Sequence, residues 1–165
     1  MADEFSFDVV SKVNLQEVDD SINAANREIS VRFDFRGSVS RFEFDKKTGE
    51  ITLYSDDEGK LKSVVDILQT RLAKRSVDLK SLDYQKVESS LGGKVRQVVK
   101  LIQGIAADKA KLVVADIKSA KIKVTASIQS DKVRVTSKSK DSLQEVMQLL
   151  KQKDYGLPLQ FENYR

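Results

Sequence analysis

The side chains of this chain that are most useful for chemistry are positively charged. Its 165 residues include 29 lysines and arginines but no histidine and no cysteine. Histidine is the commonest general base and metal ligand, and cysteine is needed for thiolate ligands and disulfides. Gly92-Gly93-Lys94 lacks the first glycine and the final serine or threonine of a phosphate-binding loop. We therefore predict a binding protein rather than an enzyme, without a cofactor and without a bound metal.

The strongest candidate for a binding surface is a predicted hairpin between Lys121 and Lys138. Apolar and polar residues alternate on both sides of Ser130-Asp131, as expected of two strands joined by a tight turn. Cations occupy the polar side of both strands, and residues 94–102 form another alternating stretch with cations on one side. We predict that a nucleotide contacts the cations of this open sheet face, namely Lys94, Arg96, Lys121, Lys123, Lys132 and Arg134.

Two explanations of these cations remain open. Phosphate contacts through lysine and arginine give affinity with little base specificity, which suits a nucleotide or RNA ligand. A lysine-rich sheet face is also a common way to keep a surface solvated. Like charges placed side by side cost stability, and Arg134 has a planar guanidinium that suits phosphate, so both features favour a binding function.

Arg32-Phe33-Asp34-Phe35-Arg36-Gly37 is the second candidate region. Large aromatic side chains are usually buried, so we favour core packing for Phe33 and Phe35. In the alternative interpretation, Arg36 lies beside a glycine at the edge of a cleft between domains and contacts a ligand there.

Helical and extended patterns occur in the same order in both halves of the chain. Asn14 fits the cap of a first helix whose apolar residues recur at steps of three and four until about Arg32. A predicted hairpin, a second helix and a further strand follow, and residues 83–165 repeat the order. Each half therefore predicts a βαββαβ unit, a four-stranded antiparallel sheet with two helices on one face. The predicted fold class is α+β, a tandem of two ferredoxin-like (RNP/RRM-like) sandwiches.

We place the two domains at residues 1–82 and 83–165. Residues 1–82 hold 13 Lys+Arg and 16 Asp+Glu, whereas residues 83–165 hold 16 and 9, which points to an anionic partner for the second half. The junction at Gly92-Gly93 is predicted to be a hairpin that passes from one sheet into the other. In an alternative arrangement, the strand at residues 5–10 pairs in the second sheet and makes the domains discontinuous.

Aromatic residues are scarce where an RNA-binding sheet would need them. Sheets of this type that bind RNA commonly stack bases on aromatic side chains of their central strands. The predicted third strands, residues 50–54 and 132–136, contain a single aromatic residue, Tyr54. Tyr164 in the last strand is a further candidate, so cations dominate the predicted site.

No targeting or membrane segment is predicted. No stretch approaches about 18 consecutive apolar residues, which a transmembrane helix requires. The N-terminal Met-Ala-Asp-Glu-Phe lacks the basic start and apolar run of a signal peptide. We expect a cytoplasmic protein.

Several motifs, taken in order, give the chain a resemblance to a known family. They are Ser6-Phe7-Asp8-Val9-Val10-Ser11, Ala25-Asn26-Arg27-Glu28-Ile29 leading into Arg32-Phe33-Asp34-Phe35-Arg36-Gly37, residues 119–129 followed by 131–136, and the ending Pro158-Leu159-Gln160-Phe161-Glu162-Asn163-Tyr164-Arg165. In these stretches the chain resembles the YajQ family of bacterial proteins, and the resemblance covers essentially its whole length.

The resemblance implies a tandem of RNA-recognition-like ferredoxin folds and an association with nucleotides or RNA. Some members of the family are effectors of the second messenger cyclic di-GMP that act through protein partners on transcription. We therefore expect a nucleotide-binding protein whose ligand is a cyclic dinucleotide, a GTP-like nucleotide or RNA, with a transcription factor as a protein partner. Two alternatives are an RNA chaperone and an interaction adaptor without a small ligand.

Overall fold

The computed structural model describes residues 4–165, and residues 1–3 of the N-terminal stretch discussed above lie outside the described part. The chain divides into two compact units. The first, here called the terminal unit, combines the N-terminal residues up to Lys12 with residues 103–165, and the second, the inserted unit, contains residues 13–102. In chain order the elements are β1 (Phe5–Val10), α1 (Leu15–Val31), β2 (Arg41–Asp45), β3 (Glu50–Ser55), α2 (Glu58–Lys74), β4 (Leu82–Tyr84), β5 (Glu88–Ser89), β6 (Val95–Leu101), α3 (Ala107–Ser119), β7 (Thr125–Gln129), β8 (Lys132–Ser137), α4 (Lys140–Lys151) and β9 (Gln160–Glu162).

The terminal unit contains a sheet of order β7-β8-β1-β9 in which all neighbouring strands are antiparallel. Apolar residues of β1 and β8 meet in register, with Phe7 opposite Val135 and Val9 opposite Val133. All four side chains are fully buried, and α3 and α4 pack on these strands. The N-terminal strand is therefore a central strand of a sheet that C-terminal residues otherwise supply.

The inserted unit contains a sheet of order β2-β3-β6-β4, also antiparallel, with β5 pairing along part of β6. Ile51, Leu53 and Val99 have no exposed surface and form one core with the apolar faces of α1 and α2. Strand β6 is central in this sheet although it comes last in the unit.

Both sheets have the strand arrangement of a ferredoxin-like fold. In the terminal unit the central strand β1 comes first in the chain, before α3, β7, β8, α4 and β9. In the inserted unit the equivalent central strand is β6, which comes last, so the order of elements is circularly permuted. The predicted α+β class, with two antiparallel ferredoxin-like sheets and four helices within residues 4–165, is confirmed.

The structure does not divide the chain at residues 82/83 but in the alternative way, with the strand at residues 5–10 paired in the second sheet and the domains discontinuous. Strand β6, assigned to the second half, pairs with β3 and β4, and β1, assigned to the first half, pairs with β8 and β9. Both are amphipathic strands with the same place in the repeated order of elements, so that order alone does not decide which sheet takes which strand. The hairpin at Gly92-Gly93 forms, but it joins β5 to β6 within one sheet.

The division into these units also removes the charge asymmetry. The inserted unit holds 16 Lys+Arg and 15 Asp+Glu, and the rest of the chain holds 13 and 10. Lys94, Arg96 and Lys100, which contributed to the positive charge of the second half, belong to the inserted unit. Net charge therefore does not identify which unit binds an anionic partner.

Side-chain caps explain where the helices begin. The Asn14 side chain caps α1, as predicted, and accepts hydrogen bonds from two backbone N–H groups in the first turn. Asp57 caps α2 and accepts one, from the Lys60 N–H. Helix α4 is capped by Ser139, whose side chain accepts a hydrogen bond from the Ser142 N–H. Each cap satisfies a backbone donor that has no partner inside its helix.

The terminal unit closes at Gly104, where the chain returns from the inserted unit. The Gly104 N–H donates to the Ser11 carbonyl at 2.7 Å, and the Ile105 N–H donates to the Asp131 carbonyl at 2.8 Å. Gly104 has a φ of +80°, and a Cβ atom added there would lie 2.7 Å from a carboxylate oxygen of Asp131. Only glycine meets both conditions without strain.

Gly104→Ala is predicted to destabilise the chain more than a glycine replacement at a similar backbone angle elsewhere. Gly92→Ala is the matched control, because Gly92 has a φ of +78° but nothing within 4 Å of an added Cβ. Both variants carry the cost of a left-handed backbone, about 1–2 kcal/mol. Gly104→Ala should lose a further ~1–3 kcal/mol in urea unfolding because of the overlap with Asp131. Equal losses in the two variants would contradict the close contact at Gly104.

Candidate functional site

The six predicted cations do not lie on one sheet. Arg96 is in β6 of the inserted unit, and Lys94 directly precedes that strand. The terminal unit contains the other four, Lys121, Lys123, Lys132 and Arg134. They are separated because β6 pairs with β3, which places Arg96 beside Tyr54 rather than beside the hairpin.

The hairpin of β7 and β8 forms as predicted, but it is shorter than the alternating pattern. Strand β7 begins only at Thr125, so Lys121 and Lys123 lie in the preceding loop and are exposed. Lys121 has a left-handed φ of 55°, which no strand residue adopts. Of the four hairpin cations, only Lys132 and Arg134 lie in a strand.

Lys132 and Arg134 both contact Asp8 of β1. The Lys132 Nζ lies 3.2 Å from Asp8 Oδ2, and the Arg134 Nε donates to Asp8 Oδ1 at 2.9 Å. Asn163 also donates to Oδ2, at 2.9 Å. Asp8 is only 1% exposed, and the Arg134 hydrogen bond, more than any other contact, holds the pKa of its carboxyl well below the usual range.

The Asp8 carboxylate changes the expected role of its two cations. Like charges on neighbouring strands cost stability, and that cost was a reason to expect a bound phosphate. The buried carboxylate lies against both cations and offsets the cost within the folded chain. Lys132 and Arg134 therefore have a structural role, and the sheet needs no ligand to keep them side by side.

A groove in the inserted unit is formed by the second candidate region. It lies at the end of α1, around the short 3-10 turn Phe33–Phe35, and has a volume of about 620 Å³. Arginine and exposed apolar side chains line much of it, among them Val31, Arg32, Phe33, Arg36 and Arg41. The groove therefore combines apolar surface with positive charge.

The two phenylalanines of this region have different environments. Phe35 is buried in the core as predicted, whereas Phe33 is 81% exposed and its neighbour Val31 is 83% exposed. A 3-10 turn has about three residues per turn, so residues two positions apart point in different directions. The predicted core packing of Phe33 is wrong, and its ring borders the groove instead.

The two arginines of the motif differ in their partners. Arg32 donates to Glu28 at 3.0 Å and to Asp34 at 2.8 Å. These hydrogen bonds, first the one to Asp34, raise the pKa of Arg32. The Arg36 guanidinium lies 5.6 Å from the centroid of the Phe33 ring. Arg36 forms no ion pair with any residue between 4 and 165, which leaves its charge available to a ligand.

Near one end of the groove lies Asp56, an acid whose negative charge is offset by neighbouring lysines. Ser38, which lines the groove, donates its hydroxyl to the Asp56 carboxylate. The pKa of Asp56 is lowered, first by this hydrogen bond and also by the charges of Lys60 and Lys94. Lys94, one of the predicted site residues, therefore lies close enough to Asp56 for its charge to act on that carboxylate.

A row of three side chains crosses the polar face of the same sheet. Arg41 of β2, Tyr54 of β3 and Arg96 of β6 are opposite one another in register. The Arg41 guanidinium lies 3.9 Å from the centroid of the Tyr54 ring, and Arg96 binds Glu88 at 3.2 Å. Because Arg41 also lines the groove, this row and the groove form one surface.

Tyr164, the other predicted aromatic candidate, does not lie on a polar sheet face. Its ring stacks on the buried Phe7 with 5.9 Å between centroids, and its hydroxyl donates to the Met147 sulfur of α4. Tyr164 therefore packs on the helix-covered side of the terminal sheet.

We did not predict from the sequence that Phe33 and Arg41 belong to this surface. The available signal for Phe33 was a pair of phenylalanines two positions apart between arginines. A tight turn buries only one phenylalanine of such a pair, so the other is exposed. Nothing local marks Arg41, since its contact with Tyr54 depends on the register of β2 against β3.

This surface is chemically suited to a ligand that has a flat ring and a negative charge. Arginine pairs with phosphate through its planar fork, and aromatic rings and guanidinium planes stack on bases. Within residues 4–165, no group of three or more acidic or other metal-binding side chains is arranged to hold a metal ion. None of the helices in this part of the chain is long and apolar enough to cross a membrane.

Comparison with known proteins gives a consistent result along the whole chain. A family model described as "Nucleotide-binding protein YajQ-like" matches residues 5–165. A relative from Elusimicrobium minutum is 57% identical over the full length of both chains, and one from Carboxydothermus hydrogenoformans is 52% identical over the same extent. A relative from Desulforamulus reducens is 53% identical over all of this chain and 99% of its own. Each of the three is named "Nucleotide-binding protein".

Asp8→Asn is predicted to lower the free energy of unfolding at pH 7 by about 1–3 kcal/mol, because a neutral amide replaces a buried carboxylate bonded to two cations. The pKa of the Asp8 carboxyl is lower in the folded chain than in the unfolded chain. The charged carboxylate therefore stabilises the fold fully above the ordinary pKa of about 3.9, and this stabilisation is lost as the pH falls toward the pKa of the folded chain. The difference between wild type and variant should therefore shrink below about pH 4 in urea unfolding.

Asp83→Asn is the matched control, since Asp83 is an exposed strand residue without an ion pair among residues 4–165. It should change stability by less than about 0.5 kcal/mol. A difference for Asp8→Asn that stays constant from neutral to acidic pH would contradict the role of its charge.

Proposed function

The chain belongs to the family of YajQ-like nucleotide-binding proteins, and on this basis we propose that it binds a nucleotide in the groove of the inserted unit. The observation that carries the proposal is Phe33, whose ring is 81% exposed beside Arg36. Covering such a side chain is favourable by about 1.5–3 kcal/mol. A ligand that stacks on the ring gains this free energy and meets a cation at the same place.

Each part of the groove has a distinct role in this proposal. The base stacks on Phe33, and the Arg36 guanidinium pairs with a phosphate. Gly37 follows with a φ of +70° and no side chain, so the ligand approaches the backbone closely. The volume of about 620 Å³ falls within the range of about 300–1,000 Å³ that is usual for small-ligand sites.

Among nucleotides, we favour a cyclic dinucleotide such as cyclic di-GMP. Phe33 and Tyr54 offer rings for two bases, and Arg36 offers charge for one phosphate. Arg41, which pairs with Glu43 at 3.3 Å in the free chain, offers charge for the second. Guanine also presents two acceptors that match the arginine fork. The chain then acts in the cytoplasm as an effector rather than an enzyme, and it passes the signal to a transcription factor, the role that the family resemblance implies.

Tyr54 favours a second candidate function, RNA binding. It lies on the polar face of the central strand β3, opposite Arg96 in β6, which is the position where RNA-recognition sheets stack bases. Lys94 precedes Arg96 by two residues in the chain. The terminal unit has predicted phosphate contacts of its own, Lys121, Lys123, Lys132 and Arg134.

Salt dependence separates the two functions. RNA binding through several phosphates should weaken steeply with salt because counterions are released, whereas one small ligand in a groove should depend on salt only modestly. Calorimetric titration with cyclic di-GMP, GTP and a short single-stranded RNA, each at two salt concentrations, measures this. Saturation by one cyclic di-GMP per chain supports the groove, steeply salt-dependent RNA binding supports the alternative, and no binding by any of the three contradicts both.

Phe33→Ala and Arg36→Ala are each predicted to weaken nucleotide affinity at least about tenfold, since base stacking contributes about 1–3 kcal/mol and a charged hydrogen bond a similar amount. Phe33→Trp retains a ring and should retain affinity. Arg27→Ala is the matched control, because Arg27 is an exposed arginine of α1 that does not line the groove. Unchanged affinity in both Phe33→Ala and Arg36→Ala would mean that the nucleotide binds elsewhere.

A further inference from the structure

The terminal unit has an open sheet edge at β7. This strand is last in the order β7-β8-β1-β9 and pairs only with β8. Its five residues, Thr125–Gln129, include no charged residue and no proline. Proteins usually protect an edge strand with charges, proline, bulges or short length, because its free N–H and C=O groups pair with other extended chains.

The other sheet edges show the usual protection. Strand β2, an edge of the inserted unit, also has five residues, but three of them are charged: Arg41, Glu43 and Asp45. Strands β4, β5 and β9 have only two or three residues each. Within residues 4–165, β7 is therefore the one edge that is both long and uncharged.

The turn at Ser130-Asp131 determines which backbone groups of β7 face outward. In a hairpin with a two-residue turn, the pair next to the turn exchanges both hydrogen bonds, and bonded pairs then alternate. That first pair is Gln129 and Lys132, so Ala126 and Ile128 direct their N–H and C=O groups away from β8. The Ile128 side chain is 42% exposed, which shows that this part of the edge is accessible.

The surroundings of the edge are positively charged. Residues 117–130 include Lys118, Lys121 and Lys123 and no acidic residue. All three lysines are exposed, and Lys121 and Lys123 lie directly before β7. Two acids lie nearby, namely Glu4, in a pocket that Lys123 and Lys138 also line, and Asp131, in the turn after β7. The lysines outnumber these acids, so the edge favours an acidic partner.

We propose that the free edge of β7 binds an extended acidic segment of a partner protein as an added strand. The segment forms main-chain hydrogen bonds with Ala126 and Ile128, covers the Ile128 side chain, and pairs its acidic side chains with Lys121 and Lys123. This site lies in the terminal unit, so it is independent of the nucleotide groove. It gives the chain a docking surface for a protein that carries an acidic, strand-forming stretch.

Hydrogen exchange followed by NMR tests the proposal with a synthetic peptide of alternating glutamate and valine. In the free chain, the outward amides of Ala126 and Ile128 should exchange rapidly, whereas the Ser127 amide is protected by β8. The acidic peptide, at millimolar concentration, should slow exchange at Ala126 and Ile128 at least about tenfold. A lysine–valine peptide of the same length should not.

Two changes test the edge separately, one through its backbone N–H and one through the charge beside it. Ala126→Pro removes an outward N–H, a change that edge strands tolerate, while the matched control Ala126→Thr keeps that N–H. The double variant Lys121→Glu with Lys123→Glu changes only exposed loop charges. Ala126→Pro and the double variant should each weaken the acidic peptide at least about tenfold, equivalent to about 1.4 kcal/mol, with near-UV circular dichroism unchanged.

Several results would overturn the proposal. Absence of protection at Ala126 and Ile128 by the acidic peptide would show that the edge does not accept a strand. Unchanged binding by the double variant would show that Lys121 and Lys123 do not attract the acidic segment. Equal protection by the lysine–valine peptide would show that charge does not select the partner. A dimer in analytical ultracentrifugation that Ala126→Pro dissociates would assign the edge to a second copy of the chain.

Discussion

The pairing of β1 between β8 and β9 is the constraint on which the rest of this structure depends. Asp8, in the middle of β1, accepts hydrogen bonds from Lys132 and Asn163, which lie 124 and 155 residues later in the chain. Because β1 completes the terminal sheet, the inserted unit supplies its own central strand, β6. That strand places Arg96 opposite Tyr54, so the same exchange of strands decides which cations meet which aromatic residue.

Helices and hairpins were predictable because their determinants are local. The Asn14 cap, the helical stripes and the alternation in β3 and β8 act over a few residues and appear in the structure. The partners of β1 and β6 were not predictable from the order of elements, since the two strands hold equivalent places. One cue was present: an acid within an apolar strand needs a cation, and β8 offers Lys132 and Arg134 whereas the polar face of β3 offers none.

The candidate site was predictable only in part. Arg36 was named from its position beside a glycine, and it lines the groove. The exposure of Phe33 follows from how a short 3-10 turn directs neighbouring side chains, and the stacking of Arg41 on Tyr54 follows from strand register. Lys132 and Arg134 looked unpaired in the sequence because their carboxylate partner, Asp8, is distant in the chain. Pairing between distant strands therefore gave Lys132 and Arg134 a carboxylate partner and placed Arg41 on Tyr54, a contact that no local pattern indicated.

Chemical-shift mapping of the isotope-labelled chain with cyclic di-GMP tests the proposed groove most directly. If the nucleotide binds there, the largest shifts occur at the amides of Phe33, Arg36, Gly37 and Arg41, together with Tyr54 on the adjoining sheet face. Residues 121–137 should shift little. Shifts confined to residues 121–137, with none around Phe33, would contradict the groove and would support the cationic hairpin as the binding surface.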